Sequence, residues 1–269
     1  MRGPDPRLPL PLAYPFRRLV TTNADIFKPQ PADSLDQPVS THDGRIEGVF
    51  WDIGGVILDI ESVRRAHGRF VAVLLEEYAA SLTHEKAVDR WRETIGEYFA
   101  DREETEFRPA REAYDRAVDA ILDERVPRSE WAPRFRSVLE STIEPHPDAI
   151  EALEAMTDDP IHVGVISDVD RDEGRRILEH FGVFDRLDSY TCSEAVGRTK
   201  PHPSMFETGL EAAGVPPEHA AMIGDRYRHD MLGAKRVGMV TVAYGAESGD
   251  AVDYRTDDLR EVRTLLGLA

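Results

Sequence analysis

The chain has one cysteine, four lysines and no long apolar run, and each scarcity removes a class of protein. With Cys192 alone no internal disulfide can form, and no cluster of Cys and His has zinc spacing, so a reducing, cytoplasmic interior is the default compartment. Cys192 itself is expected to be a small buried apolar residue. No stretch approaches the ~18 apolar residues of a membrane helix. Residues 1 to 20 also lack the compact apolar core and small-residue cleavage site of a signal peptide. Methionine is absent between Met1 and Met156, which makes Val39 one candidate alternative start.

The scarcity of lysine sits inside a strong charge imbalance. Lys28, Lys86, Lys200 and Lys235 stand among 33 basic residues, against 51 acidic ones, for a formal net charge of −18. Nucleic acid and anionic membranes are excluded as partners, because both would be repelled. At molar salt the Debye length falls to roughly 3 Å, where a dense carboxylate surface is tolerated. The composition reads as that of a halophilic cytoplasmic protein.

What the chain does contain is ordered along its length. Residues 1–45 hold eight of the 18 prolines without helical or strand periodicity, and read as a disordered arm. Helical periodicity then runs from Glu61 to about Ile143: Val63, Phe70, Val71, Leu74, Leu75 and Tyr78 form one stripe, and Trp91, Ile95 and Phe99 a second. Tyr114, Ala117, Val118, Ile121 and Leu122 form a third, and Trp131, Phe135, Val138 and Leu139 a fourth, with breaks near Pro109 and Pro127. This predicts an inserted bundle of about four helices. After Pro147 strands and helices alternate: strands over 161–166, 189–192, 220–223 and 239–243, and helices over 148–156, 172–181, 204–213, 228–237 and 257–266. Such alternation implies an α/β fold, a parallel sheet covered on both faces.

Four separated segments carry the chemistry. Asp52 ends the apolar run Gly48-Val-Phe-Trp-Asp52, Ser167 ends Ile161-His-Val-Gly-Val-Ile-Ser167, Lys200 lies in Gly197-Arg-Thr-Lys-Pro201, and Asp225 and Asp230 close Ala220-Ala-Met-Ile-Gly-Asp-Arg-Tyr-Arg-His-Asp230. In an open parallel sheet, ligands bind outside the carboxyl ends of the strands, so Asp52, Ser167 and Asp225 are expected to converge. Taken singly, a strand-end Asp or Ser is also a turn or helix cap, Asp230 a solvated residue and Lys200 a surface loop lysine. Together they supply what phosphoryl chemistry needs: a nucleophile, cations to offset spreading charge, and carboxylates for a metal.

The four segments resemble, in order and spacing, the motifs of the haloacid dehalogenase superfamily over roughly 220 residues from Ile46 onward. The resemblance implies a Rossmann-like core over 46–60 and 145–269, with an inserted helical C1 cap over 61–144. It implies Asp52 as the nucleophile of an aspartyl-phosphate intermediate, with Ser167 and Lys200 holding and neutralising the phosphoryl oxygens. Asp52, Asp225, Asp230 and the Gly54 carbonyl are implied as ligands of Mg²⁺, which prefers hard oxygen donors. The expected activity is a Mg²⁺-dependent phosphatase acting on a small phosphorylated metabolite of the sugar-phosphate type.

Gly54 departs from the family's pattern, because most of its phosphatases carry there a second Asp that protonates the leaving oxygen. Losing a general acid costs about 10² to 10⁴ in rate, least for leaving groups that are already weak bases. Asp59, Asp168, His67 and His84 are candidate substitutes, each also readable as a surface or capping group. A non-catalytic metabolite- or protein-binding module is the alternative from another class. A dehalogenase, which lacks the acidic fourth segment, and a phosphonatase, which would use Lys86, are minor alternatives.

Overall fold

The computed structural model describes residues 45–78, 80–123, 125–246 and 249–268. The proline-rich segment expected as an arm, and Val39 within it, lie outside the described residues. Six parallel strands form one sheet in the order β3-β2-β1-β4-β5-β6. They are β1 Gly48–Trp51, β2 His162–Ser167, β3 Ser189–Cys192, β4 Ala220–Gly224, β5 Val240–Tyr244 and β6 Tyr254–Thr256. Every residue of β1, β4 and β5 is buried, the signature of central strands covered on both faces. This is the α/β arrangement that the alternation predicts, and the Rossmann-like core that the resemblance implies. Cys192 is buried at the end of β3, as expected.

The chain runs from β1 to β2 and β3 on one side and then crosses to β4 on the other side of β1, so a topological switch point lies between β1 and β4. In register, Trp51 faces Val165 of β2 and Ile223 of β4. The residues that end or directly follow those strands therefore meet at one edge, and they include Asp52, Ser167 and Asp225.

Four helices are inserted between β1 and α5 Ala149–Thr157: α1 Ile60–Glu77, α2 His84–Ala100, α3 Ala110–Ile121 and α4 Arg128–Glu140. Pro109 and Pro127 stand immediately before α3 and α4, where a missing N–H costs nothing. The stripes meet in an aromatic centre, with Trp91 stacked on Tyr114 at 5.8 Å and Phe70 edge-on to Phe135 at 4.9 Å. Asp59 starts α1 by accepting from Glu61 N and Ser62 N at 2.9 and 3.1 Å.

The two connections between this insertion and the sheet are bonded to each other. Asp59 N donates to Glu144 O at 3.0 Å, His146 N to Ile57 O at 2.8 Å, and Glu144 N to Ser62 Oγ at 3.0 Å, around a bridge between Leu58 and Pro145.

The remaining helices are α6 Arg171–His180, α7 Ser193–Val196, α8 Pro203–Ala213, α9 Leu232–Arg236 and α10 Val262–Leu265. Two expectations differ here. The helix expected over 228–237 begins as a π-helical turn, Tyr227–Met231, before α9. Asp230 Oδ2 accepts from Arg226 N at 2.9 Å and its Cβ packs on Gly224, which draws the side chain back toward the end of β4 and widens the turn. The helix expected over 257–266 is reduced to α10 by a 3₁₀ turn, Leu259–Glu261, and the edge strand β6 just before it is unexpected. A three-residue edge strand is too short to leave a periodic signal.

Candidate active site

Asp52 follows β1 directly and is 2% exposed. Its Oδ1 accepts from Ile53 N at 2.8 Å and from Ser167 Oγ at 2.7 Å, while Oδ2 lies 2.9 Å from Lys200 Nζ. Both oxygens are thus oriented by donors from three elements. Burial pushes the Asp52 carboxyl above the ordinary carboxylate range and neighbouring Asp230 adds to this, against the opposing pull of Lys200 and Arg226.

Lys200 is fully buried and is not the surface lysine its Pro-flanked loop would allow. Its ammonium contacts Asp52 Oδ2, Asp230 Oδ1 at 2.6 Å and the Ile166 carbonyl at 3.1 Å. Burial alone would lower its pKa, but Asp230, Asp52 and Asp168 outweigh that and hold it charged. Asp230 is likewise fully buried, so the solvated reading of that residue is excluded.

Asp52, Asp225 and Asp230 each offer an oxygen atom within 4.8 Å of the other two. Asp225 Oδ1 is buried without a hydrogen-bond partner among the described residues. Burial, then the charges of Asp52 and Asp230, raise the Asp225 carboxyl to about 7. A cluster of like charges with an unsatisfied oxygen fits a divalent cation with hard oxygen ligands. Gly54, expected to add its carbonyl, is in the turn after Asp52 and half-buried.

Three contributors escape the motif reading. Gly55 has φ +80° and a Cβ there would fall 2.1 Å from Asp225 Oδ2, so the backbone approaches this carboxylate as only glycine permits. Asp168 accepts from Lys200 N at 2.8 Å and from Arg226 Nη2 at 3.0 Å. Burial would raise its carboxyl, yet His229, Lys200 and Arg226 prevail and hold it well below the usual range. Arg226 stands among Asp230, Asp168, Asp52 and Asp225, whose charges overcome its desolvation and raise its pKa. A charged residue next to Gly224-Asp225 was the available signal for Arg226. Asp168 as a holder of Lys200 and Arg226 depends on contacts 32 and 58 residues away, which no spacing reveals.

The candidate substitutes for the missing acid are engaged elsewhere. Asp59 caps α1, and His84 Nε2 sits 2.9 Å from the Gly68 carbonyl. His67 packs among Trp91, Tyr114 and Phe135, with its pKa lowered to about 4 by burial and by Arg92. Lys86 is exposed in the first turn of α2. A cavity of about 430 Å³ lies between α3, α4 and α6, floored by Trp131, Phe135 and Ile177, and none of Asp52, Ser167, Lys200, Asp225 or Asp230 lines it. No described helix is long and apolar enough to cross a membrane.

The geometry agrees with comparisons to known proteins. Residues 46–238 match the family model described as haloacid dehalogenase-like hydrolase. The chain is 27% identical over 157 residues to glyceraldehyde 3-phosphate phosphatase of Methanocaldococcus jannaschii, covering 55% of this chain and 69% of that one. To the protein of the same name from Methanothermobacter thermautotrophicus it is 23% identical, covering 77% and 88%. The crystal structure of a HAD phosphatase from Thermococcus onnurineus superposes with a TM-score of 0.65 at 26% identity, over 82% of this chain and 98% of that one. With the parallel sheet, the strand-end Asp52 and the buried lysine in agreement, the chain belongs to the haloacid dehalogenase-like hydrolases.

Proposed function

We propose that this hydrolase is a Mg²⁺-dependent phosphatase of a small phosphorylated metabolite, with Asp52 as nucleophile and the helices over 61–144 as its cap. The observation that carries the reading is the buried contact of Asp52 with Ser167 and Lys200 beside the carboxylates of Asp225 and Asp230. The names of two relatives, both glyceraldehyde 3-phosphate phosphatases, support a small phosphate ester as substrate. The carboxylates of Asp52, Asp225 and Asp230, with the Gly54 carbonyl, would hold Mg²⁺, which when bound offsets charge on the phosphoryl oxygens.

In this reading a carboxylate oxygen of Asp52 forms a bond to phosphorus as the ester oxygen leaves with the bonding pair. Water then attacks the aspartyl-phosphate and releases inorganic phosphate. Ser167 re-aims its hydroxyl from Asp52 to a phosphoryl oxygen, and Lys200 balances the charge that develops. Asp168 fixes Lys200 through its backbone N–H. Because position 54 brings no carboxyl, esters whose leaving oxygen is already a weak base are favoured: sugar 1-phosphates, acyl phosphates and aryl phosphates.

The test is phosphate release from a panel of phosphate esters, including p-nitrophenyl phosphate, in high KCl with Mg²⁺ or EDTA. Release that needs Mg²⁺ and is lost in Asp52→Asn is expected. No release from any ester by folded wild-type protein would sink the reading and favour a binding module.

A further inference from the structure

The cavity of about 430 Å³ bounded by α3, α4 and α6 has the size of a small-molecule site, roughly 300–1,000 Å³. No residue of the Asp52 cluster lines it, so phosphoryl chemistry does not account for it. One wall is aromatic. The Tyr114 and Phe135 rings stand 4.8 Å apart, and Phe135 meets Trp131 at 6.2 Å. Trp131 and Phe135 are buried and come from α4, while Tyr114 comes from α3.

Glu173 of α6 adjoins that wall. Tyr114 Oη donates to Glu173 Oε1 at 3.4 Å, a long bond and the only one to this carboxylate among the described residues. Burial raises the Glu173 carboxyl to about 7 and Asp170 adds to this, against the pull of Arg176 and of the Tyr114 hydroxyl. A carboxylate so poorly satisfied gains from any cation that reaches it.

The arginines around the cavity do not reverse this. Arg111 is held by Asp170 at 3.1 Å and Glu194 at 2.7 Å, and Arg128 by both oxygens of Asp115. Arg176 acts on Glu173 without bringing its carboxyl down to the ordinary range, and Arg136 is exposed. Five carboxylates and four guanidinium groups line the cavity, in a chain of net charge −18, so its field favours a positive occupant. Aromatic rings add to that preference, because a ring's quadrupole attracts a cation and does so more strongly when water is excluded.

We infer that this cavity is a second binding site, which takes a small organic ammonium with an apolar body, its charge against Glu173 and its body against Tyr114, Trp131 and Phe135. The inference stands independently of the reading of Asp52 as a nucleophile.

Isothermal titration of the full chain in high KCl tests it, with Mg²⁺ present so that the carboxylates around Asp52 are occupied. The probes are 2-phenylethylammonium, 2-phenylethanol and phenylacetate, which share an aromatic body and carry a positive, a neutral and a negative end. The ammonium is expected to bind about tenfold tighter than the alcohol, and phenylacetate more weakly than either. Glu173→Gln should bring the ammonium and the alcohol to within about twofold of each other. Ala132→Phe, which fills the cavity from a half-buried position in its wall, should abolish binding of both, and decides the location if Glu173→Gln fails to fold. Added inorganic phosphate should leave the ammonium's affinity unchanged. The inference is overturned if the ammonium does not bind, if all three probes bind alike, or if phenylacetate binds tightest, which would make the arginines the anchor. It is equally overturned if the ammonium's preference survives Glu173→Gln, if Ala132→Phe binds undiminished, or if phosphate competes, the last placing the probe at the Asp52 cluster.

Discussion

The Lys200 ammonium lies 2.6 Å from Asp230 Oδ1, with both side chains fully buried. The same ammonium touches Asp52, so one cation holds two carboxylates that would otherwise repel in a medium of low polarity. Lys200→Met is therefore expected to cost about 3 to 5 kcal/mol of stability in metal-free protein, because it strands buried charge. Lys200→Met with Asp230→Asn should cost less than the two single changes added together. Denaturant midpoints in high KCl measure both; an unaltered midpoint for Lys200→Met would show that the pair is energetically idle.

Gly54 can accept a side chain. A Cβ there meets only the Ile60 Cδ1 methyl, at 3.3 Å, the movable end of a flexible residue. Gly54→Asp should fold and raise turnover of alkyl phosphates by about tenfold or more, with a smaller gain on p-nitrophenyl phosphate. Steady-state rates on the two ester classes check this. A uniform change, or a loss on both, would mean that protonation of the leaving oxygen is not what position 54 withholds.

Asp225, raised to about 7, must shed its proton before it can bind a metal. Mg²⁺ affinity of the metal-free protein should therefore tighten as pH rises from 6 toward 8, by about tenfold per unit below the pKa and little above it. Asp225→Asn should bind weakly at every pH. Calorimetric titration at pH 6, 7 and 8 decides the matter, and equal wild-type affinity at all three would refute it.

Glu173 on α6 lines the cavity between α3, α4 and α6, where burial and then Asp170 raise its carboxyl from 4.5 to about 7. The folded state thus binds more protons than the unfolded state between those values, and this residue's contribution to stability falls as pH rises through that window. Glu173→Gln should melt higher than wild type at pH 8, with the difference shrinking toward pH 5. Thermal melts across that range test the sign; a constant difference would place the carboxyl in ordinary solvent.

Much of this site is legible in the sequence because its parts end strands. Asp52, Ser167 and Asp225 each terminate an apolar run, and a parallel sheet gathers such ends by topology alone. Lys200 is conspicuous through the scarcity of lysine around it. What stays hidden depends on contacts between distant segments: Asp168 holding Arg226 across 58 residues, or Arg102 reaching Thr199 across 97. Gly55 is hidden for a different reason, since a glycine in a turn reads as a turn until the Asp225 carboxylate is seen against it. The π-helical turn at Tyr227–Met231 is likewise set by where Asp230 must point and not by local propensity.

The paired connections at Asp59–Ser62 and Glu144–His146 have a mechanical meaning. A body tied through one strand can swing and twist in any direction, whereas two strands bonded side by side leave essentially one rotational freedom. The helical insertion can then lift from the core along a single arc. The loop that carries Arg102 rides on that arc, and the lysine loop it touches stays with the sheet. Movement along that arc would part residues 105–107 from 197–199, which are joined by Phe107 N to Gly197 O and Thr199 N to Thr105 O.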